Sequence, residues 1–395
     1  MTELVVLTGA ASGIGRAAAE IFATQGASCL LLDRDAEGLA RVAAALPGTH
    51  HVLACDLTDP ASFAGIAQTV AGLGRVQVVA NNAGMSDPSG VPMADQTMAQ
   101  LDRLIALNLR APAALVQALR PHMVPGARVV NVSSGAGLRA IPFRGAYSPT
   151  KAGVIGLTSA LAASDSGLTA TALCPGYVRT ELVEGLIAAG RLDPAQAVTK
   201  VPMARMVSPA EMAQALVFLA SAAAAPLGGQ ALSYDGGSSV FGGSITFSAD
   251  QAAAPVAMDL ATRFAVAGDD ALAALLPATG DYEAQVDATA LTADNALAAV
   301  HAAAARFAKA GPRHASLTLL LPPAPTDWIA AGDHAAAGMA IATLACEWGR
   351  SGLRINALQL RRPVPADALA GVLAWAGSAR AQYLTGQVIP LGRPA

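Results

Sequence analysis

Tyr147 and Lys151 lie four residues apart at the start of a helical stretch, so both side chains project from one face. Alone, a tyrosine and a lysine at that spacing form an ordinary amphipathic pair. Ser133-Ser134 changes the reading, because it ends the preceding strand-like run and sets Ser134 13 residues before Tyr147. A hydroxyl, a phenol and an ammonium together suit oxidation of a secondary alcohol, in which the hydroxyl proton must be removed as hydride leaves the carbon. An unperturbed tyrosine has a pKa of about 10, too high for a base at neutral pH. An ammonium one helical turn away, aided by an oxidised, positively charged hydride acceptor, favours the phenolate and lowers that value. Ser134 can then donate to the reacting oxygen and steady its developing charge.

Such chemistry needs a hydride acceptor, and the amino-terminal end supplies a candidate site. Thr8-Gly9-Ala10-Ala11-Ser12-Gly13-Ile14-Gly15 follows the first strand directly and opens a helix. Glycines there permit a tight turn and let backbone N–H groups approach a pyrophosphate at the helix N-terminus. Loose glycines carry little weight alone, but a strand before and a helix after make a dinucleotide loop. The second strand ends in Asp33, 18 residues past Gly15, where an acid can accept from the adenosine ribose hydroxyls. Asp33 would repel a 2′-phosphate, which favours NAD over NADP, while adjacent Arg34 pulls the other way.

With Asn81-Asn82-Ala83-Gly84 after a further strand, the chain resembles the short-chain dehydrogenase/reductase family, in its classical subgroup, over residues 3–240. The resemblance implies a catalytic set of Asn108, Ser134, Tyr147 and Lys151. Asn108 would support a water-linked proton path to Lys151, which would also hold the ribose hydroxyls. It implies a cofactor bound by Gly9, Ser12, Gly13, Ile14, Gly15, Asp33 and Arg34. Asp56, beside Leu57, would meet the adenine, and Asn82, Ala83 and Gly84 with Asn81 would lie under the adenosine. Pro175, Gly176, Val178 and Thr180 would hold the nicotinamide carboxamide. Residues 179–206 fall where the family places its substrate flap. Leu182, Val183, Leu186 and Ile187 form an apolar stripe there, followed by Met203 and Met206, and about half of them are expected to face the core. Those that face the site imply a partly apolar substrate, with methionines tolerating varied shapes. Arg139 and Arg144 read as solvated side chains, or else as partners for an anionic group.

Behind these residues, apolar runs of strand length alternate with helical patterns over the first 240 residues. The strand-like runs cover residues 4–7, 28–32, 51–54, 76–80, 128–132 and 169–173. The alternation predicts an α/β doubly wound Rossmann fold with a parallel sheet between helices. Gly and Ser cluster over residues 228–243, which read as a linker. That gives a catalytic, NAD-binding domain at 1–243 and a second domain at 244–395.

The second domain echoes the first. Lys151-Ala-Gly-Val-Ile-Gly-Leu-Thr matches Ala336-Ala-Gly-Met-Ala-Ile-Ala-Thr, and Gly167-Leu-Thr-Ala-Thr-Ala-Leu matches Gly352-Leu-Arg-Ile-Asn-Ala-Leu, both at an offset of 185. Leu227-Gly-Gly-Gln-Ala-Leu matches Leu384-Thr-Gly-Gln-Val-Ile at an offset of 157. A repeat lacking 28 residues accounts for all three. The copy should be a truncated, degenerate Rossmann-like domain with helices at about 284–310 and 333–350. Asn108 projects onto Thr292, Ser134 near Pro323, Tyr147 onto Gly332 and Lys151 onto Ala336, so the chemistry is lost. Asp333 and His334 stand nearby without a catalytic set. A structural role remains: a pseudo-dimer burying the helix face that bears Tyr147 and Lys151, with two chains pairing into a pseudo-tetramer.

Composition bounds the alternatives. Of 395 residues, 53% are hydrophobic and 13% charged, which excludes a disordered chain. A net charge of −3 and a pI of about 6.1 leave nothing to attract nucleic acid. Cys29, Cys55, Cys174 and Cys346 form no C-x-x-C pair, so neither a disulfide framework nor a metal site is expected. Met1-Thr2-Glu3-Leu4 lacks the basic start of a signal peptide. The longest uncharged apolar stretch, residues 215–229, is shorter than the ~18 residues of a membrane span and contains Pro226. The expectation is a cytoplasmic enzyme, with no membrane partner, that interconverts a small secondary alcohol and its ketone with NAD. Reduction of a 3-oxoacyl thioester is the alternative within enzymes. A non-catalytic NAD-binding scaffold or sensor is the alternative outside them, and it would have no use for Ser134, Tyr147 and Lys151 together.

Overall fold

The computed structural model describes residues 3–164, 166–190, 192–310 and 313–392, so Met1 and Thr2 of the leader reading lie outside it. Strands β1 (Leu4–Thr8), β2 (Ser28–Asp33), β3 (His51–Ala54), β4 (Val76–Asn81), β5 (Met123–Val132), β6 (Thr169–Pro175) and β7 (Ala231–Tyr234) form one parallel sheet. Their order is β3-β2-β1-β4-β5-β6-β7. Helices α1 (Gly13–Thr24), α2 (Ala36–Ala45), α3 (Ser62–Leu73), α4 (Met98–Ile105), α5 (Ala111–Leu119), α6 (Tyr147–Ala163), α7 (Glu181–Ala188), α8 (Pro194–Val198) and α9 (Pro209–Leu219) complete this part. Strand side chains alternate between two cores, as a sheet covered on both faces requires. Val5 and Leu7 join the core under α1, α2 and α9, whereas Leu4 and Val6 join the one under α3 and α5. The chain reverses its winding between β1 and β4, which opens a crevice at their carboxyl ends.

The second sheet contains β8 (Thr262–Ala267), β9 (Tyr282–Asp287), β10 (Ala315–Leu321), β11 (Arg354–Leu360) and β12 (Val388–Leu391). It is parallel, in the order β12-β11-β10-β9-β8. That is the order β7-β6-β5-β4-β1 of the first sheet with β2 and β3 left out. Helices α10 (Asp270–Leu275), α11 (Ala296–Lys309), α12 (Trp328–Trp348) and α13 (Ala366–Ala376) pack on it. Two expectations need correction. The helix expected from residue 284 begins at Ala296, because Ala284 lies within β9. Residues 228–243 are not a plain linker either: β7 occupies four of them, a strand too short and too closely flanked by glycine to read as one.

The two halves meet on a different face from the one expected. Helix α13 packs against the turn Ala222–Leu227, and α9 against the turn Ala379–Ala381. Phe218, Tyr234, Trp375 and Tyr383 place their rings together there. Large aromatic faces bury more apolar surface than the Ala- and Gly-rich stripe of α12 could offer. Helix α6 instead packs on its own β5, β6 and α4. Its outer face, with α5, borders an apolar groove of about 300 Å³ between Pro112, Val116, Leu157 and Leu161. Among the described residues, no helix is long and apolar enough to cross a membrane.

Candidate active site

The crevice at the ends of β1 and β4 is a cleft of about 390 Å³. Gly9, Ser12, Gly13, Ile14, Asp33, Arg34, Asp56, Leu57, Asn82, Ala83, Gly84 and Thr180 line it. Gly9 and Gly13 have φ of 66° and 54°, where a side chain would be strained. A Cβ on Gly15 would lie 2.0 Å from the Gly9 carbonyl oxygen, so only glycine allows α1 to start so close to β1. The loop is braced from below: the Thr8 hydroxyl accepts from the N–H groups of Asn82 and Ala83 at 2.9 and 3.0 Å. The Asn82 amide donates to the Thr8 and Gly9 carbonyls, both at 3.1 Å. A helix N-terminus at the cleft, a glycine cradle and an acid at the end of β2 together fit a dinucleotide.

Asp33 accepts from the N–H groups of Ala11 and Asp35, both at 3.1 Å, which turns its carboxylate toward the cleft edge. Asp56 is held below the usual carboxylate range by the N–H and hydroxyl of Thr58, and further by the charges of Arg34 and Arg103. Arg103, from α4, also lines the cleft; no motif marks it, since a helical arginine usually faces solvent. Glu181 was equally invisible in the sequence. Its carboxylate accepts from the Gly13 N–H at 2.9 Å and pairs with Arg16 at 2.7 Å.

Beyond the cleft, Ser134 follows β5 and accepts from the Ala136 N–H at 3.1 Å, and Tyr147 opens α6. Burial pushes the Tyr147 phenol up, opposed by the neighbouring Ser134 hydroxyl and by the charge of Arg144. Lys151 is 4% exposed, and burial pulls its pKa down to about 8. Its ammonium donates to the Val132 carbonyl at 3.0 Å and lies 5.9 Å from the Tyr147 ring centroid. Burial disfavours the charged form of both groups, and the ammonium alone does not offset it for the phenol. The Ser133 hydroxyl donates to the Lys151 carbonyl at 2.7 Å and pins α6 to the sheet.

Asn108 sits in a π-helical turn, Ala106–Arg110, between α4 and α5, a local widening common at functional positions. Its amide donates to the Met85 carbonyl at 2.9 Å and the Thr150 hydroxyl at 3.2 Å, and its carbonyl accepts from the Met85 N–H at 2.9 Å. A Cβ on Gly84 would stand 3.1 Å from the Lys151 nitrogen and 3.3 Å from the Asn108 oxygen. A side chain at position 84 would crowd both groups.

The other expected residues divide. Pro175 ends β6, a Cβ on Gly176 would meet Asp235 at 2.9 Å, and Val178 bridges to Val207. These three shape the turn, and Thr180 is the residue of that segment that reaches the cleft. Leu182 lines the cleft as well, 67% exposed. Leu186 lines a neighbouring pocket of about 340 Å³ with Ile141, Phe143, Arg144 and Leu192. Val183 and Met206 pack together in a small core, Met203 is buried in the main one, and Ile187 is half-buried. Arg139 is exposed, as expected, and donates to the carbonyls of Ser238, Ser239 and Phe241. Arg144 donates to the Asp87 carbonyl at 3.4 Å. In the second half, Asp333 accepts from Asn295 at 2.9 Å, and His334 and Gln359 are hydrogen-bonded at 2.7 Å.

Residues 9–239 match a family model described as enoyl-(acyl carrier protein) reductase. A Sinorhizobium fredii protein, called an uncharacterized short-chain type dehydrogenase/reductase, is 37% identical over 238 residues, 60% of this chain and 43% of its own length. The D-threitol dehydrogenase of Mycolicibacterium smegmatis is 36% identical over 243 residues, covering 60% of this chain and 92% of the relative. A Brucella melitensis structure described as a short-chain dehydrogenase/reductase, glucose/ribitol dehydrogenase, superposes with a TM-score of 0.56 at 27% identity, covering 60% of this chain and 96% of that one.

Proposed function

The chain belongs to the short-chain dehydrogenase/reductase family, and on that premise we propose that it interconverts a secondary alcohol and a ketone with NAD, using Tyr147 as acid/base. Bound nicotinamide would supply the hydride acceptor and, when oxidised, a positive charge that favours the Tyr147 phenolate. Everything else falls to side chains. Tyr147 takes the hydroxyl proton, Ser134 donates to the reacting oxygen, and buried Lys151 supports the phenolate. Asn108 and Lys151 both approach Gly84, a proximity that suits a water-borne proton path between them. The observation that carries this reading is buried Lys151, 5.9 Å from the Tyr147 ring centroid and close against Gly84 of the glycine-cradled cleft.

NAD is the favoured cofactor because Asp33 presents its carboxylate at the cleft edge, whereas the charge of Arg34 bears on Asp56. Leu182 and Leu186 support an at least partly apolar substrate. For residues 244–395 we infer a degenerate copy of residues 1–243. The missing β2 and β3 correspond to the strands that carry Asp33 and lead into Asp56, so the copy lacks an adenosine side. Its role would be structural, as the partner of α9 and β7, with two chains pairing through the uncovered α5 and α6 faces. The four free cysteines suit a reducing compartment such as the cytoplasm.

The test is a panel of D-threitol, cyclohexanol and a 3-oxoacyl thioester, each with NAD(H) and NADP(H), followed by reduced-nicotinamide absorbance. Turnover of an alcohol with NAD supports the reading. Turnover of the thioester alone replaces the substrate class, and cofactor binding without any turnover favours a scaffold.

A further inference from the structure

Residues 179–206 leave the first sheet at Val178 and return at Val207, and these two residues bridge at the base of the excursion. Val183, Leu192, Ala197, Val198 and Met206 form its own small core. The returning stem rests on the second half of the chain at three points. The Phe247 N–H donates to the Thr199 carbonyl at 3.0 Å. Gly349 presses on Pro202 so closely that a Cβ would fall 2.8 Å from its carbonyl oxygen. The Tyr383 hydroxyl donates to the Arg205 carbonyl at 2.7 Å, and its ring lies 4.9 Å from the Arg205 guanidinium. Between these points Ala204 is fully buried with φ of 52°, a conformation that costs a residue with a Cβ and persists only when its surroundings enforce it.

Tyr383 is itself immobilised. It is fully buried, and its carbonyl accepts from the Gly236 N–H at 3.1 Å. The loop before it is capped by Arg354, a guanidinium 1% exposed that donates to the carbonyls of Ala376, Ser378, Ala381 and Leu384.

We propose that Tyr383 is a positioning residue for substrate: the second half fixes the returning stem, and so shapes the pocket against Leu186 and Leu192. The proposal rests on reading 179–206 as the substrate flap. Removing the hydroxyl leaves the Arg205 carbonyl without that donor and lets the stem relax around Ala204. The outgoing stem at Thr180, beside the cofactor cleft, keeps its contacts.

The full-length Tyr383→Phe variant tests this, with Phe307→Leu as a control in the distant core of the second half. Hydrogen exchange should quicken in residues 199–206 of Tyr383→Phe and stay at the wild-type rate in α1. With cyclohexanol or D-threitol, KM should rise about 5–10-fold at nearly constant kcat, the loss expected for one buried hydrogen bond. The dissociation constant for NAD should not change. Phe307→Leu should lower Tm and leave KM alone, and Gly349→Ala, acting on the same stem, should reproduce the Tyr383→Phe result. Wild-type exchange in residues 199–206 of both stem variants overturns the proposal, as does an unchanged KM where Leu186→Ala raises it. If Leu186→Ala also leaves KM unchanged while exchange quickens, the flap reading is what fails.

Discussion

Phe218 and Trp375 stack face to face, their ring centroids 4.1 Å apart and their planes 1° from parallel. They stand 157 residues apart, the same offset that aligns Leu227-Gly-Gly-Gln with Leu384-Thr-Gly-Gln. At a two-fold interface, each residue on the axis meets its own counterpart. The surrounding contacts reciprocate in the same way. The Gly236 N–H donates to the Tyr383 carbonyl at 3.1 Å, and the Gly392 N–H donates to the Pro226 carbonyl at 2.8 Å. Pro226 and Tyr383 are again 157 residues apart, and the two donor glycines are 156 apart, one position out of register. If residues 244–395 are a degenerate copy, as proposed, one chain supplies both sides of a two-fold contact.

Cutting the chain after Gly243 would uncover Phe218, Leu227 and Tyr234, an apolar face too large to stay bare. The truncated protein should self-associate, and light scattering after size exclusion would read this directly. A soluble, fully active monomer would overturn the structural role. In the intact chain Trp375→Ala should cost about 3–5 kcal/mol in chemical unfolding. Trp375→Phe should cost far less, since the indole N–H is buried without a partner.

Tyr147→Phe retains the ring and removes the acid/base. Turnover should fall by ~10² or more, the usual scale for such a group. NAD binding, measured by calorimetry, should stay within about twofold, because the phenol lies beyond the glycine cradle. Near-normal turnover would sink the assignment.

Lys151 gives the fold a pH dependence of known sign. Its folded value of about 8 lies below the unfolded 10.5, so the unfolded chain holds the proton more tightly. This contribution to stability is complete above pH 10.5 and is lost as pH falls through about 8. Between pH 7.5 and 9.5, wild type should gain about 2 kcal/mol relative to Lys151→Met in urea unfolding. Parallel curves for the two proteins would show that Lys151 is not desolvated.

The first sheet was legible because each strand comes with its own punctuation. The Gly9–Gly13–Gly15 loop, Asp33 and Asn82 sit at strand ends, where local chemistry and topology agree. β7 was hidden by its length and its flanking glycines. The choice of face between the halves was hidden for a different reason. Alanine-rich α12 reads as a close-packing surface, yet what drives the contact is the meeting of Phe218, Tyr234, Trp375 and Tyr383, residues scattered over 165 positions. Pairing of that kind leaves no periodic trace. The same holds for Arg354, whose lack of an acidic partner becomes intelligible only once five backbone carbonyls surround it.

Asp33→Ser should narrow the preference for NAD over NADP by at least about tenfold, or 1.4 kcal/mol. The carboxylate also holds the N–H groups of Ala11 and Asp35, so serine should weaken both cofactors somewhat. The ratio of dissociation constants separates the two effects. A wild-type protein that already prefers NADP would mean that Arg34 and Arg103 outweigh Asp33.

In the proposed cofactor site, Glu181 stands where a pyrophosphate would meet the start of α1. Its carboxylate takes the Gly13 N–H at the mouth of α1 and is tethered by Arg16, so it must move before a dinucleotide can seat there. The side chain is about half exposed, which limits the whole contact to roughly 0–1 kcal/mol. Glu181→Gln keeps an acceptor of the same shape and removes the charge that would face the phosphates. NAD and NADH should therefore bind up to about fivefold more tightly, by an increment that shrinks as salt rises. Arg16→Ala releases the tether but also removes a cation near the phosphates, so it should not reproduce that gain. Calorimetric titration of the three proteins at low and high salt distinguishes these effects. Weaker NAD binding by Glu181→Gln would show that the carboxylate helps to hold the cofactor and does not compete with it.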